Sequence, residues 1–433
     1  SIGDQSENML FVNNGDLTFS DKAREFGLNE SRLTTHTAFF DFDKDGDLDA
    51  YLINYENNPD KDPTAIRRKR EDGKSKSSDR LFRNDEGSFV DVTMDAGIKH
   101  EGYGLGVLLN DFNDDGWLDI YVSNDFTYDD NLYINNKNGS FTDEIKSYVN
   151  HTSNFGMGVD MADINNDGHV DLFQVDMLPE DNRRQKKLLS GLNYGRFQIL
   201  TKNGYVPQYM RNSVQLGSGN STFQEVGMLT GMSNTDWSWS PLIADLDNNG
   251  FKDVFITNGY VKDVTDVDFR DFVISENQRR NAVFDPNVVI NALEELKGEK
   301  IANYAYANNG GLSFTNQAEQ WGLDEPSFST GSAYGDLDND GDLDIVVNNL
   351  NQPSFIYENR SQEMDSLNYL LIDITVDNDP TKAIGTKVNL LIDGQTYSSH
   401  VSPYRGFQST VDARLHFGLN DHKVIDLMEI IWP

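Results

Sequence analysis

Cysteine is absent from the 433 residues, which excludes a disulfide scaffold, thiolate metal sites and thiol redox chemistry but leaves the compartment open. Positive charge is scarce: 36 Lys and Arg stand against 71 Asp and Glu, for a formal net charge of −35. That imbalance excludes nucleic acid as a partner, because phosphate binding needs a cationic footprint. No run of about 18 apolar residues occurs, so nothing reads as a membrane-spanning helix. No basic-then-apolar signal segment opens the chain, and Ser1 reads as an internal or processed end. What the chain has in plenty is Asp set beside Asn and Gly.

Those residues recur in register. One nine-residue pattern occurs as DFDKDGDLD (Asp41 to Asp49), DFNDDGWLD (Asp111 to Asp119), DINNDGHVD (Asp163 to Asp171), DLDNNGFKD (Asp245 to Asp253) and DLDNDGDLD (Asp336 to Asp344). Small and apolar residues precede most copies (YGLGVLLN, FGMGVDMA, WSWSPLIA, FSTGSAYG), and an apolar strand ending in Asn or Asp follows (AYLIN, IYVSN, LFQVD, VFITN, IVVNN). A second strand pair around an Asn, Gly or Ser turn comes next, as in NLYINNKNGSFTDE. Four strands per repeat predict an all-β fold, a β-propeller whose blades bury their faces only against neighbouring blades.

Residues 1–360 form the expected propeller, with insertions at 56–80, 177–211 and 261–302. In the last, Asp285 and Pro286 open an apolar pattern (Val288, Val289, Ala292, Leu293, Leu296) closed by Gly298, which predicts a capped helix on the propeller rim. The opening NMLFVNNGDLTFSDKA reads as the second half of a blade, so an incomplete ring is expected here and seven blades in the full protein. Residues 361–367 read as a linker, and 368–433 as a small β domain of sandwich type, truncated at its end.

The nonapeptide has the chemistry of a calcium loop. Calcium takes several oxygens, drawn in loop sites from carboxylates at alternate positions and one backbone carbonyl. Position one holds Asp41, Asp111, Asp163, Asp245 and Asp336; position three holds Asp43, Asn113, Asn165, Asp247 and Asp338. Position five holds Asp45, Asp115, Asp167, Asn249 and Asp340, and position nine Asp49, Asp119, Asp171, Asp253 and Asp344. Position seven varies (Asp47, Trp117, His169, Phe251, Asp342), as fits a ligand that offers only its carbonyl. Position six is always Gly, which permits a left-handed turn around the ion. The bidentate Glu of a helix-loop-helix site is missing: position twelve holds Leu52, Val122, Gln174, Ile256 and Val347. Asp-Asn-Gly clusters also form plain turns, but five copies in register outweigh that reading, so five calcium sites are expected. With millimolar dissociation constants at ~1 mM free ion, each site contributes about 0.4 to 1.4 kcal/mol. Such sites stay empty in the cytosol, which favours a cell surface or periplasm.

The combination of small-apolar strand, acidic nonapeptide and strand resembles the FG-GAP or VCBS repeat of integrin-like propellers, Phe328 to Asp344 being among the clearest copies. RGFQS (Arg405 to Ser409), RLHFGL (Arg414 to Leu419) and IIWP (Ile430 to Pro433) resemble the ASPIC/UnbV domain. Together they are similar to the cartilage acidic protein family, above all its large Bacteroidota surface proteins. The resemblance implies calcium ligation by the loop residues, an exported chain on the extracellular face of the outer membrane or secreted, and partners among surface proteins such as SusC/SusD-like uptake systems. A glycan or peptide ligand is the other partner class.

Other features are weighed against plainer roles. Trp237 and Trp239 offer a sugar-stacking platform or ordinary packing between blades; Arg67, Arg68, Lys69 and Arg70 offer an anionic-partner patch or a solvated loop. His169 and His416 pair with no nucleophile motif, and Asp365-Ser366-Leu367 fits a short O-glycosylation pattern. The expected function is noncatalytic binding or scaffolding. The alternative is a polysaccharide lyase, which needs a Tyr or His base and an Arg or metal converging on a uronate.

Overall fold

The computed structural model describes residues 7–56, 58, 64–188, 194–279, 286–361 and 367–433. Five antiparallel sheets succeed one another, each with its strands hydrogen-bonded in chain order. Blade one comprises Leu33–Phe40, Asp49–Tyr55, Arg80–Asp85 and Ser88–Asp91, and blade two Gly104–Asn110, Asp119–Asn124, Asn131–Asn135 and Phe141–Asp143. Blade three comprises Val159–Ala162, Asp171–Gln174, Ser213–Gly217 and Phe223–Glu225, and blade four Ser238–Ala244, Asp253–Asn258, Tyr304–Asn308 and Phe314–Asn316. Blade five has three strands, Ser329–Gly335, Asp344–Asn349 and Phe355–Tyr357. Ahead of them, Phe11–Asn13 pairs with Phe19–Asp21 as a separate hairpin.

Face-to-face stacking explains the apolar second strands. A strand with neighbours on both faces loses the polar half of its alternation, and Asp49–Asn54, Asp119–Asn124 and Asp253–Asn258 are buried throughout. Each junction has its own core. Phe40, Tyr51 and Ile53 meet Val107, Ile120 and Val122 between blades one and two; Leu108 and Tyr121 meet Val159 and Met161 between two and three. Phe173 and Val214 meet Ile243 and Ile256 between three and four, and Leu242 and Phe255 meet Leu343 and Val347 between four and five. First strands of successive blades lie side by side. This is the propeller-like, all-β architecture that the repeats predict.

Polar latches hold the same junctions. Asn135 Nδ2 donates to Leu118 O (3.3 Å) in its own blade and to Phe42 O (2.9 Å) in blade one. Asn308 does the same with Lys252 O (3.0 Å) and Ile164 O (2.8 Å), and Asn359 with Leu343 O (3.2 Å) and Leu246 O (2.7 Å). Blade three has Gly217 at this place and lacks the latch. Removing one such amide leaves two buried carbonyls without a donor, so Asn308→Ala is expected to destabilise by about 1–3 kcal/mol. A urea unfolding curve reads this as a lower midpoint at unchanged slope.

All three long insertions join a second strand to a third, whereas every acidic loop joins a first strand to a second. In an antiparallel sheet these connections leave from opposite ends, so the insertions and the acidic loops occupy opposite faces. A helix at Pro286–Glu295 lies where the capped pattern predicts one. A longer one at Val267–Arg279, and two in the second insertion at Asn182–Leu188 and Tyr194–Lys202, were not expected from the sequence. No helix among the described residues is long and apolar enough to cross a membrane.

Beyond blade five, Asn368–Ile372 pairs with Leu415–Asn420, and Lys387–Ile392 lies between Gln395–His400 and Leu427–Ile431. These two small sheets share a core of Val388, Leu390, Ile392, Leu415, Phe417 and Leu419. From them a hairpin finger, Tyr404–Arg405 paired with Ser409–Thr410, reaches the first strands of all five blades. Tyr404 Oη accepts from Phe39 N (2.7 Å) in blade one, and Tyr404–Arg405 runs beside the first strand of blade two. Gly406 exchanges both backbone hydrogen bonds with Val159 in blade three. Phe407 packs on Trp239 in blade four with ring centroids 4.8 Å apart, and Ser409 abuts Gly331 in blade five. The finger therefore occupies the common axis of the blades. Only its RGFQS residues stood out in the sequence, as a family signature without a structural role.

Candidate metal sites

The five loops share one hydrogen-bond scheme. The position-one carboxylate accepts the N–H groups of positions five and six, as from Asp45 (3.2 Å) and Gly46 (3.0 Å) to Asp41. The position-five side chain accepts from the N–H of position seven, at 3.1, 3.0, 2.9, 2.7 and 2.9 Å in loops one to five. Position nine is the deepest. Its Oδ2 accepts the N–H of position two, and its Oδ1 accepts an N–H at the end of the third strand: Asn84, Asn135, Gly217, Asn308 or Asn359, each at 2.8 Å. One carboxylate thus ties the loop to the sheet behind it.

Three loops bring three carboxylates within 4.8 Å of one another: Asp41, Asp43 and Asp49; Asp245, Asp247 and Asp253; Asp336, Asp338 and Asp344. Each group could hold a metal ion. In loops two and three the third position is an amide, and Asn113 and Asn165 turn their Nδ2 toward Asp115 (3.0 Å) and Asp167 (2.9 Å). Their donor set is one charge poorer than that of loops one and five and equal to that of loop four, where Asn249 stands at position five. Asp43 Oδ1 and Asp47 Oδ1 are buried without a hydrogen-bond partner among the described residues, a cost that a hard cation would remove.

Burial raises Asp49 to about 7 and Asp119 to about 8, far above the usual carboxylate range, with backbone N–H donors opposing the shift. Asp171 and Asp253 move the same way, again through burial. Asp163 rises to about 6 and Asp245 to about 7. Carboxylates that resist ionisation when buried together are those whose ionised form a bound cation stabilises.

Position four carries a role the sequence reading did not give it. Its residue is left-handed in every loop: Lys44, Asp114, Asn166, Asn248 and Asn339 have φ of 62°, 54°, 57°, 60° and 63°. Three of these side chains reach the next loop. Lys44 Nζ lies 4.7 Å from the Trp117 ring centroid, Asn166 Nδ2 donates to Gly250 O (3.0 Å), and Asn248 Nδ2 donates to Asp342 Oδ1 (2.7 Å). The signal was the Asn shared by loops three to five at that position, which reads equally well as a turn former.

Several of the remaining candidates have structural partners. Lys69 pairs with Asp129 and lies over the Tyr205 ring, so part of the basic run fastens the first insertion to the second. Trp237 stacks on Tyr260 with centroids 4.3 Å apart, while Trp239 meets the finger. His416 Nε2 donates to Gly341 O (2.9 Å) in loop five. The Asp365-Ser366 part of the glycosylation pattern lies outside the described residues.

Comparison with known proteins agrees with the repeat geometry. Residues 111–173 and 288–347 match the FG-GAP-like repeat family, and residues 376–433 match the family described as ASPIC and UnbV. No curated protein matches. Among solved structures, a Tc holotoxin pore from Photorhabdus luminescens is similar at 11% identity and a TM-score of 0.29, over 80% of this chain and 12% of that one. The chain therefore spans about an eighth of that protein's length. With acidic loops at matching places in five stacked sheets, the chain is a propeller-like repeat protein with FG-GAP-like repeats and an ASPIC and UnbV domain.

Proposed function

We propose that this is a noncatalytic binding or scaffold protein of the cell exterior, held in shape by calcium in its acidic loops. The observation that carries the reading is the recurrence of one loop architecture in every blade, with oxygens left unsatisfied in the first copy. Ligand or partner contacts fall to the opposite face, where the three insertions and the half-buried Trp237, Trp239 and Tyr260 lie. A surface protein, such as a component of an uptake system, or a glycan or peptide would engage there. The lyase alternative gains no support at the axis: Tyr404 is hydrogen-bonded to the Phe39 backbone and Arg405 is paired with Asp160.

Titrating calcium into metal-free protein by calorimetry tests the reading. The expected stoichiometry is about five, with dissociation constants of about 10⁻⁴ to 10⁻³ M, and Asp336→Ala removes one site. Absence of binding at millimolar calcium overturns it.

A further inference from the structure

We propose that cation occupancy of the acidic loops controls the seating of the C-terminal sheets on the propeller, and with it the presence of the finger on the axis. The inference rests on the calcium reading above. Its basis is that the loops are the surface on which these sheets sit. Gln395 Nε2 donates to Asn166 O (2.6 Å) and Lys387 Nζ to Gly168 O (2.9 Å) in loop three. Asn420 N donates to Asn248 O (3.0 Å) in loop four, and His416 Nε2 to Gly341 O in loop five.

The acceptors are all carbonyls of positions four and six. Those positions are the two left-handed residues of each loop, while in loops four and five the carboxylates at one, three and nine converge. One short loop therefore presents carboxylates on its inside and docking carbonyls on its outside. The two sets share a backbone and cannot move independently. Packing is equally close: a Cβ at Gly418 would overlap Asp245 Oδ2 and the Asn248 backbone, so the sheet rests directly on a candidate ligand. In loop four, position eight is Lys252 rather than Leu or Val, and its Nζ donates to His416 O (3.3 Å) across the junction.

Without a cation, the clustered carboxylates of loops three to five repel one another and the loops relax. The docking carbonyls then lose their registration with Lys387, Gln395, His416 and Asn420. By contrast, although the Asn latches end on loop carbonyls, the central strands of blades one and two are held along their length by apolar contacts such as Ile53 with Val122, away from the loops.

Hydrogen exchange on the full chain, with calcium and then with excess chelator, tests this well below the melting temperature. On chelation, amides at Gly406, Asp412 and Asn420 are expected to exchange at least about tenfold faster, while those of the central strands at Leu52–Asn54 and Val122–Asn124 stay protected. Unchanged exchange at the junction overturns the proposal, as does equal loosening of blades and junction. Calorimetry on the same samples separates the two readings: absent calcium binding defeats the functional proposal, whereas binding without altered exchange defeats only this one. Linkage is reciprocal, so the double variant Lys387→Ala, Gln395→Ala is expected to weaken calcium binding about five- to tenfold although it removes no carboxylate. Unaltered affinity also overturns the proposal.

Discussion

Excess chelator at pH 8 is expected to lower the melting temperature by about 2 to 8 °C. The figure combines the roughly 2 to 7 kcal/mol that five weak calcium sites supply with about 1 °C per kcal/mol, the shift expected from an unfolding entropy of about 2.1 cal/mol/K per residue in a chain of this length. Acidity changes the size of the effect. In the metal-free protein Asp49, Asp119 and Asp245 have carboxyl pKa values raised by burial to about 7, about 8 and about 7. A raised carboxyl binds its proton more tightly in the folded than in the unfolded chain. Its contribution is complete below the unfolded value of about 4 and is lost as pH rises through the folded value. Metal-free protein is therefore more stable at pH 5 than at pH 8, and chelation costs less at the lower pH. Scanning calorimetry at both pH values, with and without chelator, checks both the drop and its pH dependence. Equal melting temperatures in all four samples would sink the prediction.

Arg405→Ala is expected to destabilise the protein by about 3–5 kcal/mol, the usual cost of stripping one partner from a buried ion pair. Arg405 is 7% exposed and Asp160 is fully buried; Arg405 Nη1 donates to Asp160 Oδ1 (2.7 Å) and to Met161 O (2.6 Å). Truncation leaves a carboxylate in the axis whose donors among the described residues are the backbone N–H groups of Met161 and Ile243. Pairing Arg405→Met with Asp160→Asn removes both charges and should recover part of the loss. Denaturant unfolding of the single and double variants measures the coupling, and additive effects would show that the pair is not the source of the stability.

Sequence legibility followed the range of the interaction. The acidic loops were readable because the carboxylates of one site lie within nine residues and the turn at position six admits only Gly. The strands were readable because stacked blades impose apolar runs on the second strand of each repeat. Asn135, Asn308 and Asn359 look like turn residues locally, and their second acceptor lies 93, 144 and 113 residues away in the neighbouring blade. Arg405 and Asp160 are separated by 245 residues and meet only because five first strands converge on one axis. No local spacing encodes such a meeting. Recurrence was the available clue, since an Asn stands at or next to the end of the third strand in blades one, two and four, and Gly217 breaks the series in blade three.

Placing every long insertion on the side away from the acidic loops divides the molecule into a rigid half and an adaptable one. Closing a longer loop costs little, since doubling its length adds only about 0.6 kcal/mol. Segments such as 177–211 and 261–302 are therefore free to vary in length and chemistry while the buried carboxylates and the axial hairpin keep their geometry. New recognition properties can arise on such a framework without reopening the problem of how it folds.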